Sequence, residues 1–215
     1  MIFEFKGIKP VIDPSSFIHP QANVTGHVII GKDVYIGPGA VIRGDFGKII
    51  IEDGANVQEN CTIHMFPGVT VLIKKGAHLG HGCIVHGATI GTNSLIGMNS
   101  VIMDDAIIGD ECIIGALTII QSEMNIPERK VVVGNPAKII KDVSDQMIKW
   151  KSEGTKIYQK LPKECIDSLK ETLPHSSFFE YKNEHTEKYK TWKKSKWKVD
   201  LIFNYLLHWS RPEEW

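Results

Sequence analysis

A chain of 215 residues, 42% apolar and 23% charged, has room for one large domain and an appendage, and its composition excludes disorder for most of its length. Its 25 basic and 25 acidic residues cancel, so no overall field draws it to nucleic acid or an anionic membrane, and neither is expected as a partner. The opening Met1-Ile2-Phe3-Glu4-Phe5-Lys6 is neither a signal peptide nor a span, and Cys61, Cys83, Cys112 and Cys165 form no Cys-x-x-Cys pair; a cytoplasmic protein with packing cysteines is expected.

Residues 1–16 alternate weakly around Pro10 and Pro14 and predict a short strand and a lead-in. A repeat then takes over. Aliphatic residues recur every sixth position at Ile18, Val24, Ile30, Ile36 and Ile42, at Ile51, Val57 and Ile63, at Ile73, Leu79 and Val85, and from Ile90 in sixes to Ile120. Four residues after most of these anchors stands a small or β-branched side chain, such as Ala22, Ala40, Cys61, Cys83 and Thr118. Six fits neither the helical period nor a long strand, whereas a hexapeptide period is the signature of a parallel β-helix in which three sixes close a triangular coil. Glycines directly after anchors, at 31, 37, 91, 97, 109 and 115, are expected to supply turn conformations that side chains resist.

The repeat ends near Ile120, and residues 131–141 read as a last strand and a turn at Gly134, Asn135 and Pro136. Ser144 caps a helix with a stripe of Met147, Trp150, Ile157 and Leu161, which packs on the prism. The expected division is a β-helix over 1–141, a packed helix over 142–162 and a tail over 163–215. In that tail Lys182, Lys188, Lys190, Lys193, Lys194, Lys196 and Lys198 surround Tyr189, Trp192 and Trp197. Such interleaving is compatible with single-stranded nucleic acid, but the neutral total charge favours a solvated segment anchored by its aromatics, followed by a short helix over 199–209.

The register places the histidines. Ile63 and Val85 are 22 residues apart, one coil of eighteen plus a four-residue insertion in the loop Met65 to Leu72, so His64 and His86 stand side by side about one strand spacing apart. Arg43 occupies the same column one step below. His81 follows Leu79 on another face, and Gln58, after Val57, shares that face. Three imidazoles with an open fourth position make a catalytic zinc site, so these three converge only if His81 comes from a neighbouring molecule, and closed threefold symmetry would bring the faces together. On residues alone, a ligand set and a coincidence among nine histidines stand level.

The strings Val41-Ile42-Arg43-Gly44-Asp45, Asn56-Val57-Gln58, Ile63-His64, Gly80-His81-Gly82 and Val85-His86-Gly87 resemble the gamma-class carbonic anhydrase family. Arg-Gly-Asp-Phe-Gly at 43–47, Asp-Gly-Ala-Asn at 53–56, Phe66-Pro67 after His64, and Trp150-Lys151 before Gly154-Thr155 are similar to its branch containing the phenylacetic-acid-degradation protein PaaY and the carnitine-operon protein CaiE. The likeness covers residues 1 to about 165. It implies a left-handed β-helix, a homotrimer, and zinc held by His64 and His86 of one chain and His81 of the next. It also implies that Arg43 and Asp45 form an interface ion pair and that Gln58 orients the metal-bound water. Two departures stand out: Phe46 occupies a place where the best-studied members carry a proton-shuttling glutamate, and the loop from Met65 to Leu72 has no acid.

Three-histidine zinc brings the pKa of bound water to about 7, the behaviour for which carbonic anhydrase is the standard example. Hydroxide is then available at neutral pH, and the expected function is hydrolysis of acyl-CoA thioesters in a catabolic pathway, since the branch includes a CoA thioesterase. Carbon dioxide hydration, with CO2 and bicarbonate as ligands, is the alternative. A metal-independent hexapeptide acyltransferase and a non-catalytic scaffold are further ones. Iron or cobalt would also accept the imidazoles.

Overall fold

A computed structural model describes residues 1–177, 189, 191 and 192. Residues 1–171 form one compact unit and residues 172–215 a second. The first unit is the expected left-handed parallel β-helix followed by a helix. Each turn of the coil lays one short strand on each of three faces. The first face stacks Ile2–Phe3, the leading halves of Asn23–Ile30 and Val41–Ile51, then Thr62–His64, Ile84–His86, Val101–Ile102 and Ile119–Ile120. The second stacks Val11–Ile12, the trailing halves of the same two long strands, Thr70–Ile73, Thr89–Ile90, Ile107–Ile108 and Asn125–Ile126. The third runs from Phe17–Ile18 through Tyr35–Ile36, Asn56–Val57, His78–Leu79, Leu95–Ile96 and Ile113–Ile114 to Lys130–Val133, on which Lys138–Asp142 folds back antiparallel.

The anchors fill the prism. Every one from Val24 to Ile120 is at most 2% exposed, because a strand this short turns one side chain inward and its neighbours outward. Burying one such branched side chain stabilises the coil by about 1.5–3 kcal/mol, so the stack is held mainly by contacts between successive turns. Cys61, Cys83 and Cys112 are fully buried among them, and Cys61 and Cys83 lie in contact through their sulfurs, 3.5 Å apart.

Three details differ from the sequence reading. The coil starts earlier and ends later: Ile2–Phe3 and Val11–Ile12 already pair in parallel with the next turn, and Ile126 and Val132 fill a turn beyond Ile120. Pro10, Pro14 and the polar Asn125 obscure the period at both ends. The glycines after anchors serve close approach rather than turn conformation. Gly97 and Gly109 are not in the left-handed region, but a Cβ on either would collide with backbone of the next turn, at Ala116 and Glu128 respectively. The left-handed turn positions are taken instead by residues such as Asn93 and Asn99, with φ of 53° and 55°.

The third difference is the helix, α1, which spans Asp145–Ser168 rather than 142–162 and passes through Pro162. Ser144 is the N-cap, as expected, its side chain accepting from the Met147 amide. The buried face is Met147, Lys151, Thr155 and Pro162, whereas Ile157 is 44% exposed. A lysine belongs to that face because its stem packs while its Nζ donates to the Gly76 carbonyl at 2.7 Å and to Asn93 Oδ1 at 2.8 Å. Burial brings its pKa down to about 7, with Glu111 opposing. The basic-aromatic stretch and the helix expected over 199–209 lie outside the described residues, apart from Tyr189 and Trp192.

Candidate functional site

The first face carries His64, His86, Arg43 and Asp45. Ile63 pairs with Val85 and His64 with His86 across one turn, and Ile42 pairs with Ile63 below, so the stacked column is the one the spacing predicts. Asp45 reaches the column through a bulge. Gly26 pairs with Gly44 but Val28 pairs with Ile49, leaving three extra residues on the longer strand, and these lift Asp45 and Phe46 at the corner of the prism. Asp45 Oδ1 then lies 3.0 Å from His64 Nε2, and Arg43 Nε lies 3.2 Å from Asp45 Oδ2. Burial raises the Asp45 carboxyl, but the hydrogen bonds from His64 and its own backbone, with the Arg43 charge, outweigh it and hold the group below the usual carboxylate range. Arg43 and Asp45 thus pair within one chain, on the face that bears the histidine.

His86 has a carboxylate of its own. Its Nδ1 lies 2.6 Å from Asp104 Oδ1, on the turn above. The other nitrogens, His64 Nδ1 and His86 Nε2, face each other at 3.3 Å. We assign the protons to the carboxylate-bound nitrogens, because an anion is the stronger acceptor; Arg43, whose Nε pairs with Asp45 Oδ2, also brings its Nη2 to 2.9 Å from His64 Nε2. In that assignment two imidazole lone pairs point at one another. Such an arrangement is repulsive unless a cation lies between them. Tetrahedral zinc with Zn–N bonds of about 2.0–2.1 Å requires ligand nitrogens roughly 3.3–3.4 Å apart, so the pair fits two corners of that polyhedron. Phe46 and Phe66, both more than half exposed, set their rings 5.4 Å from His64 and 4.9 Å from His86.

His81 and Gln58 stand on the third face, apart from the pair. Among the described residues no cluster of three or more histidine, cysteine, aspartate or glutamate ligands forms within one chain. The His81 side chain is 48% exposed and its Nδ1 contacts a Glu59 carboxylate oxygen, so Nε2 is the other ring nitrogen, available as a ligand. Glu59 also accepts from the Tyr35 hydroxyl at 3.2 Å. Gln58 is buried in a polar knot: its Nε2 is 3.2 Å from Asn56 Oδ1 and 2.5 Å from His78 Nε2. Tyr158 of α1 reaches it with its hydroxyl and lies edge-on to His78 at 4.9 Å. Burial, then the charges of Lys151 and His81, push His78 down to about 3, so its ring is neutral.

Sequence reasoning missed Asp104, Glu59, His78 and Tyr158. Glu59 was within reach, because the pairing of Val57 with Leu79 puts it beside His81. Asp104 follows from the pairing of Val85 with Ile102, one position past the His86 column. Tyr158 carried no signal, since helix rotation on the prism is not encoded in the repeat.

The description "Bacterial transferase hexapeptide (six repeats)" matches residues 9–44 and 87–122. The chain is 45% identical to the carnitine operon protein CaiE of Proteus sp. (strain LE138) over 173 residues, 80% of this chain and 88% of that protein. Among solved structures, a Bacillus cereus protein provisionally described as an acetyltransferase is 34% identical with a TM-score of 0.75, covering 76% of this chain and 95% of its own. A hexapeptide transferase family protein of Anaplasma phagocytophilum is 29% identical with a TM-score of 0.73, covering 76% and 96%. With its coil, its hexapeptide spacing and this identity along most of its length, the chain belongs to the hexapeptide-repeat family, in the branch of the carnitine operon protein CaiE.

Proposed function

We propose that the chain is a homotrimeric zinc hydrolase acting on acyl-CoA thioesters, with His64 and His86 of one copy and His81 of the next as ligands. The observation that carries this reading is the pair of facing ring nitrogens, His64 Nδ1 and His86 Nε2, 3.3 Å apart, each ring braced from behind by a carboxylate. Zinc bound there would supply a Lewis acid and would bring the pKa of a bound water to about 7. The chain's own residues do the rest. Asp45 and Asp104 hold the proton on the far side of each ring, and Arg43 keeps Asp45 ionised and aimed. Gln58, immobilised by Asn56, His78 and Tyr158, offers a fixed amide on the face that bears His81, where it would orient the attacking water. Phe46 and Phe66 flank the rings with apolar surface, which suits an acyl group and limits solvent.

Thioester hydrolysis is favoured over fast CO2 hydration because the latter needs rapid proton export. Phe46 stands where an acid would serve, and residues 65–72 contain none. An acyltransferase reading is favoured by the description of the Bacillus cereus neighbour; there the Asp104–His86 pair would act as a general base without metal. One experiment separates these. Elemental analysis and the mass of the native oligomer are combined with assays on CO2, on a panel of acyl-CoA thioesters, and on thioester plus amine or alcohol acceptors, before and after complete zinc removal. Stoichiometric zinc and metal-dependent thioester hydrolysis are expected. Inactivity on every thioester, or transfer that survives zinc removal, overturns the proposal.

A further inference from the structure

We infer that Asp104 is a positioning residue: it fixes the tautomer of His86 so that Nε2 presents its lone pair, and so sets the affinity for zinc. This rests on the reading of the site given above. The Asp104 carboxylate is only 20% exposed, so its 2.6 Å hydrogen bond to Nδ1 is shielded from water and correspondingly strong. Its backbone is clamped on both sides, because Asp105 N donates to the Gly87 carbonyl at 3.0 Å and Glu123 N donates to the Asp104 carbonyl at 2.9 Å. The position below is kept open for it. A Cβ on Gly87 would fall 2.5 Å from Asp104 Oδ1 and 3.3 Å from its Cα, so any larger residue there would displace the carboxylate from the ring. A glycine beside a ligand, and an aspartate clamped above it, together hold one nitrogen protonated and the other bare. The same device recurs at His64 with Asp45, but there Arg43 shares the carboxylate. At His86 the imidazole has Asp104 in a simple pair.

The test uses the full-length oligomer with Asp104→Asn, Asp104→Ala and, as control, the exposed neighbour Asp105→Asn. Zinc affinity is measured by competition with a chromophoric chelator. Asparagine still accepts the Nδ1 proton but lacks the charge, and alanine does neither, so losses of about tenfold and about a hundredfold are expected, with no change for the control. Nitrogen NMR of the apo proteins should show His86 protonated at Nδ1 in the parent and a mixture of tautomers in Asp104→Ala. A structural role alone would not move that signal. Apo thermal midpoint and oligomer mass should be unchanged; if alanine lowers the midpoint, the isosteric asparagine variant carries the comparison. A parent that takes up zinc, with Asp104→Ala binding within about twofold of it and an unaltered tautomer, overturns the role of Asp104 alone. A parent that takes up no zinc overturns the reading of the site as well.

Discussion

If His64 and His86 of one copy and His81 of the next hold zinc in a trimer as proposed, defects on one face should be complemented by intact copies of the other. A chain with His64→Ala and His86→Ala retains His81, and a chain with His81→Ala retains the stacked pair. Neither alone can complete a site. Co-expressed in equal amounts and mixed at random in threefold rings, each contact between two copies joins an intact first face to an intact third face about one time in four. Zinc content and thioester hydrolysis should therefore return to roughly a quarter of the parent level in the mixture, from near zero in either variant alone. The assay is metal analysis and turnover on purified mixed oligomers, with differently tagged chains to establish the mixing ratio. Recovery indistinguishable from zero in well-mixed rings would refute shared sites, as would substantial zinc in the His81→Ala homotrimer.

Ile63→Ala, at a fully buried anchor directly before a proposed ligand, should lower stability by about 2–5 kcal/mol in urea titrations, with no compensation from neighbouring turns. Gly97→Ala should cost about 1–3 kcal/mol, since the added methyl meets the backbone at Ala116; a change within a few tenths would refute the close-approach account. His78 sets an acid limit. Its folded value, about 3, lies below the ordinary 6.5, so the unfolded chain takes up the proton first and stability falls as pH drops from about 6.5 toward 3, by up to about 4 kcal/mol. His78→Gln should flatten that limb of a denaturation-versus-pH curve, and an unchanged slope would rule His78 out as its cause.

Much of this was legible because a β-helix turns sequence separation into spatial register. The Ile63–Val85 spacing was enough to stack His64 on His86 and to put His81 elsewhere, and both placements are observed. What the spacing could not give is anything decided off the coil. The stripe Met147, Trp150, Ile157 and Leu161 obeys helical periodicity, yet α1 buries Lys151 and Thr155, because the open carbonyl of Gly76 and the Asn93 side chain give the amine a better seat than an aliphatic side chain would have. The glycines were misread for a related reason: the sequence shows that a side chain is missing, not whether φ or a neighbouring backbone excludes it.

Most of the places where the coil departs from eighteen residues per turn lie beside the proposed site. Val24 pairs with Ile42 and Ile102 with Ile120, both eighteen residues on. Between them Ile42 pairs with Ile63 after 21 residues, Ile63 with Val85 after 22, and Val85 with Ile102 after only 17. These three irregular turns touch His64 or His86, whereas a fourth, from Ile2 to its partner Val24 after 22 residues, does not. The first excess is the bulge that lifts Asp45 and Phe46, and the second is the loop that raises Phe66. Each supports the other, since Gly68 N donates to the Phe46 carbonyl at 2.9 Å. The shortened turn brings Asp104 diagonally over His86 instead of directly above it. A structure built only to stack would lose pairing by each of these changes, and three of the four departures adjoin the two histidines, as the proposed site requires of those turns.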